Sequence, residues 1–186
     1  MKTFHISLPF SQEDLKKIRA GDHLLLSGHL YTARDEAHKR LVAMKNSGQA
    51  LPVSLKNETI YYVGPAPTKP GQVINSAGPT TAKRMDKYTK DMLELEVVAM
   101  IGKGERGEET RRLLKGKAIY MAALGGVGAK QAQSIIKQEE IDFHDSGMES
   151  FRRLEVKDFP VIVINDWEGN DIYEKNRGTW HQILNP

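Results

Sequence analysis

From Glu96 to Asn165 the sequence switches repeatedly between two hydrophobic rhythms. The β-prone runs are Glu96 to Ile101, Ala118-Ile119-Tyr120-Met121, Glu140-Ile141-Asp142-Phe143 and Phe159-Pro160-Val161-Ile162-Val163-Ile164-Asn165, the last being the most apolar. Between them lie stretches with helical spacing, Glu108 to Leu114 and Ala129 to Lys137. Strands that alternate with helices build layered α/β domains, because each helix must bury its apolar stripe on a sheet face. Asp166 to Asp171 reads as a hairpin turn, with Ile172-Tyr173 pairing back.

The first half carries the same signals more loosely. Ser11-Gln12-Glu13-Asp14 is a helix start, with Ser11 as N-cap and acids in the first turn. Gly21-Asp22 breaks that helix, Leu24 to Tyr31 is a strand, and Asp35 to Met44 has helical spacing that Asn46-Ser47-Gly48 ends. Thr59 to Val63 is a short strand, Gly64 to Gly71 a rigid proline-rich turn region, and Val73 to Ala77 a further strand.

A length of 186 residues fits one domain, which we place at 1–175 with a C-terminal tail at 176–186 that Trp180 docks. The chain contains no cysteine, so it forms no disulfide and cannot by itself hold an iron–sulfur or thiolate–zinc site. No apolar run approaches the roughly 20 residues of a membrane span, and the N-terminus lacks a signal-peptide core. We expect a cytoplasmic protein that binds neither membrane nor nucleic acid. The net charge of +3 comes from scattered pairs such as Lys16-Lys17 and Arg152-Arg153, which suit solvated helix faces, rather than from a basic patch with interleaved aromatics.

Gly102-Lys103-Gly104-Glu105-Arg106-Gly107 fits G-x-G-x-x-G between a strand and a helix. The rest of a dinucleotide site is missing: the next strand ends Met121-Ala122-Ala123-Leu124, with no acid for a ribose hydroxyl. Gly125-Gly126-Val127-Gly128 is a second glycine turn before a helix, equally suited to a tight turn or an anion cradle.

Ser76-Ala77-Gly78-Pro79-Thr80-Thr81-Ala82-Lys83-Arg84 opens a helix running to about Leu93. One threonine suffices as its N-cap, so two threonines and an arginine one turn along also fit an anion site at a helix entrance. Spacing alone leaves both readings open. Arg34, at the Tyr31-to-Asp35 strand-to-helix turn, and Lys103, between two glycines at a strand end, are further cations where α/β ligand sites collect. Two arginines, one lysine and a threonine at element ends would suit a small dicarboxylate.

The segments YTARDEAHKRL (31–41), YYVGPAP (61–67), INSAGPTTAKRMD (74–86), IGKG (101–104), ALGGVGA (123–129) and GMESFRRLEVKDFPVIVINDWEGND (147–171) together resemble the C-terminal domain of class I, iron–sulfur fumarases. In two-subunit members that domain is a separate β chain, and L-tartrate dehydratase β subunits are similar. The resemblance implies a swivelling three-layer β/β/α domain of the α/β class and reversible hydration of fumarate to L-malate in the tricarboxylic acid cycle. It also implies a [4Fe–4S] cluster carried by an α subunit, in an α2β2-type heteromer. By similarity Thr80 is the general base, and Arg34, Arg84 and Lys103 bind the dicarboxylate. Lys83 stands where the family is expected to carry glycine, which bears on substrate preference. A tartrate dehydratase β subunit and a stand-alone dicarboxylate- or nucleotide-binding module are the alternatives.

Overall fold

The structure, a computed structural model, describes residues 1–66, 73–123 and 128–177. Seven strands form one sheet: β1 (Thr3–Ser7), β2 (His23–Thr32), β3 (Thr59–Tyr61), β4 (Ala99–Gly102), β5 (Ile119–Ala123), β6 (Ile135–Asp142) and β7 (Phe151–Asn165). Their order is β1-β2-β3-β4-β5-β7-β6, and β2 also pairs with β7. The ladders β2–β3, β3–β4 and β4–β5 are parallel, whereas β5–β7 and β7–β2 are antiparallel, so these five strands close a circuit. The two long strands are each shared. The first half of β2 pairs with β1 and its end with β3, while the first half of β7 pairs with β6 and its end with β5.

Alternation of side chains along the strands sends two cores to the two sheet faces. One core joins Leu24, Leu26, Ile101, Met121, Phe159 and Val161 with Leu15 of the first helix, α1 (Gln12–Lys17), and with Ile18 just after it. The other joins Ile60, Met100, Tyr120 and Ile164 with a helical layer. That layer contains α2 (Asp35–Ser47), a 3-10 helix (Ala82–Tyr88), α3 (Thr89–Glu94) and α4 (Glu108–Leu114). A short α5 (Gly128–Gln133) precedes β6, a second 3-10 helix (His144–Glu149) precedes β7, and α6 occupies 172–177.

Local signals account for the helix boundaries. Ser11 caps α1 in a reciprocal capping box with Asp14. Gly48, at φ 71°, ends α2: its N–H reaches Lys45 O and the Gln49 N–H reaches Met44 O, a Schellman pair. Ala37, His38 and Leu41 give α2 its buried stripe. No helix among the described residues is long and apolar enough to cross a membrane.

Four expectations are corrected. Residues 73–77 form no strand; they run as an irregular segment whose Ser76 O accepts from Ala66 N at 3.0 Å. The expected helix over 129–137 stops at Gln133, and Ile135–Lys137 instead open β6, whose pairing with β7 outweighs their helix-forming Lys and Gln. Strand β7 begins at Phe151, eight residues before the apolar run, because half of it is a two-sided partner of β2 and β6 rather than a buried strand. Ile172-Tyr173 do not pair back; after a single Asn165–Asp171 bridge the chain enters α6. Most of the Gly125 to Gly128 turn, the end of the proline-rich region and Trp180 lie outside the described residues.

Candidate active site

The segment before the 3-10 helix is stitched across the ends of two parallel strands. The Tyr61 hydroxyl donates to Ala77 O, and Ala77 N donates to Gly128 O at 3.3 Å. Thr80 N donates to Tyr62 O at 2.7 Å, just past β3. Lys103 N, just past β4, donates to Thr80 O at 3.0 Å, and Ala82 N donates to Lys103 O at 2.9 Å. Thr81 and Lys103 thereby form a parallel bridge. The bonds of Thr80 and Ala82 to residues just past two strand ends hold the Thr80 backbone beside that of Lys103 at the carboxyl edge of the sheet. Ligands of α/β sheets collect at that edge.

Tyr61 has one hydroxyl proton and gives it to Ala77 O, so its oxygen is free to accept. Gln131 of α5 lies 3.2 Å away, and its buried amide nitrogen has no other partner among the described residues. With the amide nitrogen turned toward Tyr61, both groups are satisfied.

Arg34 and Arg84 are brought together through Asp35. Arg34 follows β2 and occupies the N-cap position of α2, where its own side chain makes no cap hydrogen bond. Its Nη2 lies 3.3 Å from Glu149 Oε1. Arg84, on the 3-10 helix and half exposed, pairs with the carboxylate of Asp35. Each guanidinium has five N–H donors, so one intramolecular carboxylate leaves others for a ligand. Lys103 is exposed and lines a cleft of about 420 Å³ with Gly104, Ala122, Ile162, Ile164 and Tyr173. Among the described residues of this chain, Thr80, Arg34 and Arg84 do not line that cleft. Lys83 is exposed.

The helix entrance differs from the α-helical one expected. Residues 82–88 are a 3-10 helix, and neither it nor α3 has a side-chain cap bond. Thr81 rather than Thr80 holds the N-cap position, so neither threonine is explained as a cap. The 3-10 helix passes directly into α3 at Thr89, so helical backbone runs from Ala82 to Glu94 with a tighter first half.

Arg106, inside the glycine motif, anchors this frame. Its side chain is fully buried. Nε donates to Asp86 Oδ1 at 2.6 Å, Nη2 to Thr89 Oγ1 at 2.5 Å and Nη1 to the Tyr62 hydroxyl at 3.2 Å. The guanidinium also lies over the Tyr62 and Tyr120 rings, at 5.5 and 5.0 Å from their centroids. Gly107 N donates to the other Asp86 oxygen at 2.7 Å. Burial pushes the Tyr62 phenol up, against the pull of Arg106, and keeps it a neutral partner.

Two of the motif's glycines, Gly102 and Gly107, serve packing, while Gly104 serves a positive φ of +79°. A Cβ on Gly102 would lie 2.8 Å from Tyr62 Cδ2 and 3.1 Å from Ala82 Cβ, and one on Gly107 would lie 2.8 Å from Asp86 Oδ2. They admit the 3-10 helix close to β4.

His38, on α2, is also buried. It stacks on Tyr88 at 5.2 Å, meets Tyr62 edge-on at 5.4 Å, and its Nδ1 bonds Arg34 O at 2.8 Å. Burial lowers its pKa to about 4. It therefore stays neutral at neutral pH, with Nδ1–H donating to the carbonyl. Sequence reasoning missed His38 and left the place of Arg106 open. The signal for Arg106 was a glycine motif lacking its ribose acid, which leaves packing as the reason for the glycines.

The family model described as "Fumarase C-terminus" matches residues 1–176. Fumarate hydratase 1, mitochondrial, of Leishmania major is 37% identical over 172 residues, covering 90% of this chain and 31% of that protein. The aerobic class I fumarate hydratase of Escherichia coli strain K12 is 36% identical over 165 residues, covering 87% of this chain and 30% of that protein. The putative L(+)-tartrate dehydratase subunit beta of Methanocaldococcus jannaschii is 37% identical over 182 residues, covering 94% of this chain and 93% of that protein. The chain thus spans about a third of the fumarate hydratases it matches and nearly all of the tartrate dehydratase subunit.

Proposed function

The chain belongs to the Fumarase C-terminus family, and on that footing we propose that it is the β subunit of a hydro-lyase that reversibly hydrates fumarate to L-malate. The observation that carries this reading is the stitching of Thr80 to Lys103 at the sheet's carboxyl edge, with Arg84 of the following 3-10 helix tied to Asp35 beside Arg34. A threonine whose backbone is tied to that of Lys103, with two arginines on neighbouring segments, suits a dianionic substrate. The likeness to a tartrate dehydratase β subunit over nearly its whole length supports the subunit assignment and gives L-tartrate dehydration as the second reading.

Arg34 and Arg84 neutralise the two carboxylates, and Lys103 adds a third positive charge. Neutralisation matters most when a proton leaves the carbon beside a carboxylate, since negative charge builds up there. Thr80 takes that proton from malate in the dehydration direction and returns it to the alkene carbon on hydration. A threonine hydroxyl is a poor base in water, so it works only where nearby cations stabilise its alkoxide.

The [4Fe–4S] cluster implied by the resemblance does not fit this chain. The sequence has no cysteine, and the described residues include no group of three or more His, Asp or Glu able to hold a metal. We assign the cluster to a partner α subunit in an α2β2-type heteromer. Two cores on opposite sheet faces are consistent with a three-layer β/β/α unit that swivels against that partner.

The test is to co-purify the chain with its α partner, cluster intact, and assay fumarate, malate and tartrate. Turnover of fumarate and malate supports the first reading, and turnover of tartrate alone supports the second. Turnover of none of them contradicts both. A stand-alone module would instead show tight malate binding by calorimetry on this chain without a partner.

A further inference from the structure

Glu149, at the end of the second 3-10 helix, lies against Arg34. Glu149 Oε1 is 3.3 Å from Arg34 Nη2, and its Oε2 accepts the Glu36 N–H of the first turn of α2 at 3.0 Å. Both side chains are about three-quarters buried, at 22% and 26% exposure, which lifts the pair out of the class of screened surface contacts. Arg34 makes no cap bond of its own, so the carboxylate at the entrance of this 13-residue helix comes from a residue 113 positions away from Glu36.

The other side of Arg34 is confined by Gly64. A Cβ there would lie 2.7 Å from Arg34 Nη1, 3.1 Å from its Cδ and 3.1 Å from Met148 O. The guanidinium is thus gripped at Nη2 and passes closely over a glycine. Its Nε–H is buried with no partner among the described residues. A buried, unpaired guanidinium donor is costly unless a ligand or water completes it.

We infer that Glu149 is a positioning residue: it fixes Arg34 so that the guanidinium meets an incoming carboxylate already aligned. This rests on Arg34 binding the substrate. A pre-oriented fork loses less entropy on binding than a free one, so the effect falls on substrate affinity.

Glu149→Gln removes the charge and keeps an acceptor for Glu36 N–H. Asp145→Asn is the control. It loosens the same segment from α2, where Arg40 binds Asp145 through Nη1 and Nη2, without touching Arg34. In the reconstituted α/β pair, Glu149→Gln raises KM for malate and fumarate about tenfold with kcat within about threefold of wild type, and Asp145→Asn leaves both as they are. In the full-length chain labelled with 15N-arginine, Glu149→Gln speeds hydrogen exchange at the buried Arg34 Nε–H at least about tenfold by NMR, as expected when the ion pair at Nη2 no longer holds the guanidinium in its buried place, and Asp145→Asn does not. Equal effects of the two variants, or no change in Glu149→Gln, overturn the inference. If the wild-type pair hydrates no substrate, the functional reading fails, and the exchange rates still decide whether Glu149 holds Arg34.

Discussion

Arg106 and Asp86 form a buried ion pair, Nε to Oδ1 at 2.6 Å, that ties the connection after β4 to the 3-10 helix following Thr80. The pair spans 20 positions of sequence and is the main side-chain link between the segments that carry Lys103 and Arg84. Its two ends sit beside proposed substrate contacts but make none themselves.

Removing one partner of such a pair strands the other. Arg106→Ala is expected to cost about 3–5 kcal/mol of stability, since Asp86, Thr89 and Tyr62 all lose a donor. Urea unfolding of the full chain measures it. A loss below about 1 kcal/mol would place Arg106 among ordinary surface arginines.

Gly102 tests the packing account of the glycine motif. Gly102→Ala puts a methyl against Tyr62 and Ala82 and is expected to cost about 1–3 kcal/mol through overpacking. Gly104→Ala meets nothing within 4 Å, but at φ +79° it strains the backbone by about 1 kcal/mol. Chemical denaturation of both variants gives the comparison; a Gly102→Ala chain as stable as wild type contradicts close packing.

His38 predicts a pH dependence with a definite sign. Its folded pKa of about 4 lies below the ordinary 6.5, so between these values the unfolded chain binds the proton that the folded chain rejects. Stability is therefore constant from this source above pH 6.5 and falls as pH drops toward 4, by about 3 kcal/mol in all. Burial is the main cause; Arg106 adds to it, while the Arg34 carbonyl and Asp35 oppose it. His38→Gln, measured by urea unfolding across that range, should flatten the slope. An unchanged slope would mean that other groups carry it.

Much of the fold can be read from local chemistry. The Ser11 box, the Gly48 stop, the Leu24-to-Tyr31 strand and the Glu108-to-Leu114 helix all depend on residues within a few positions of one another. The misread elements depend on distant partners. Ile135–Lys137 is a strand because Val156 and Glu155 lie opposite, and Arg152 and Arg153 are strand residues because both β2 and β6 flank them. The site divides the same way. Arg34, Thr80, Arg84 and Lys103 stand out in the sequence because they lie at or near element ends. The hold of Glu149 on Arg34 and the burial of Arg106 require segments 115 and 20 residues apart to meet, and no spacing rule contains that.

Arg84 separates charge from geometry. Arg84→Lys keeps the charge but loses the planar fork. Half exposed and paired with Asp35, it should change stability by less than about 1 kcal/mol. In the reconstituted pair, kcat/KM for malate is expected to fall at least about tenfold. Unaltered kinetics would remove Arg84 from the substrate's contacts.

The kcat of Thr80→Ala in the cluster-loaded α/β pair, measured with malate and fumarate, bears on the proposal most directly. Thr80 has its backbone bound on both sides, and no cap is assigned to its hydroxyl, so folding should change by no more than about 0.5 kcal/mol. If its hydroxyl moves the proton, turnover falls by about 10²–10⁴-fold in a pair that still assembles. Turnover within a few-fold of wild type would show that the proton goes elsewhere and that the cations around Thr80 serve another purpose.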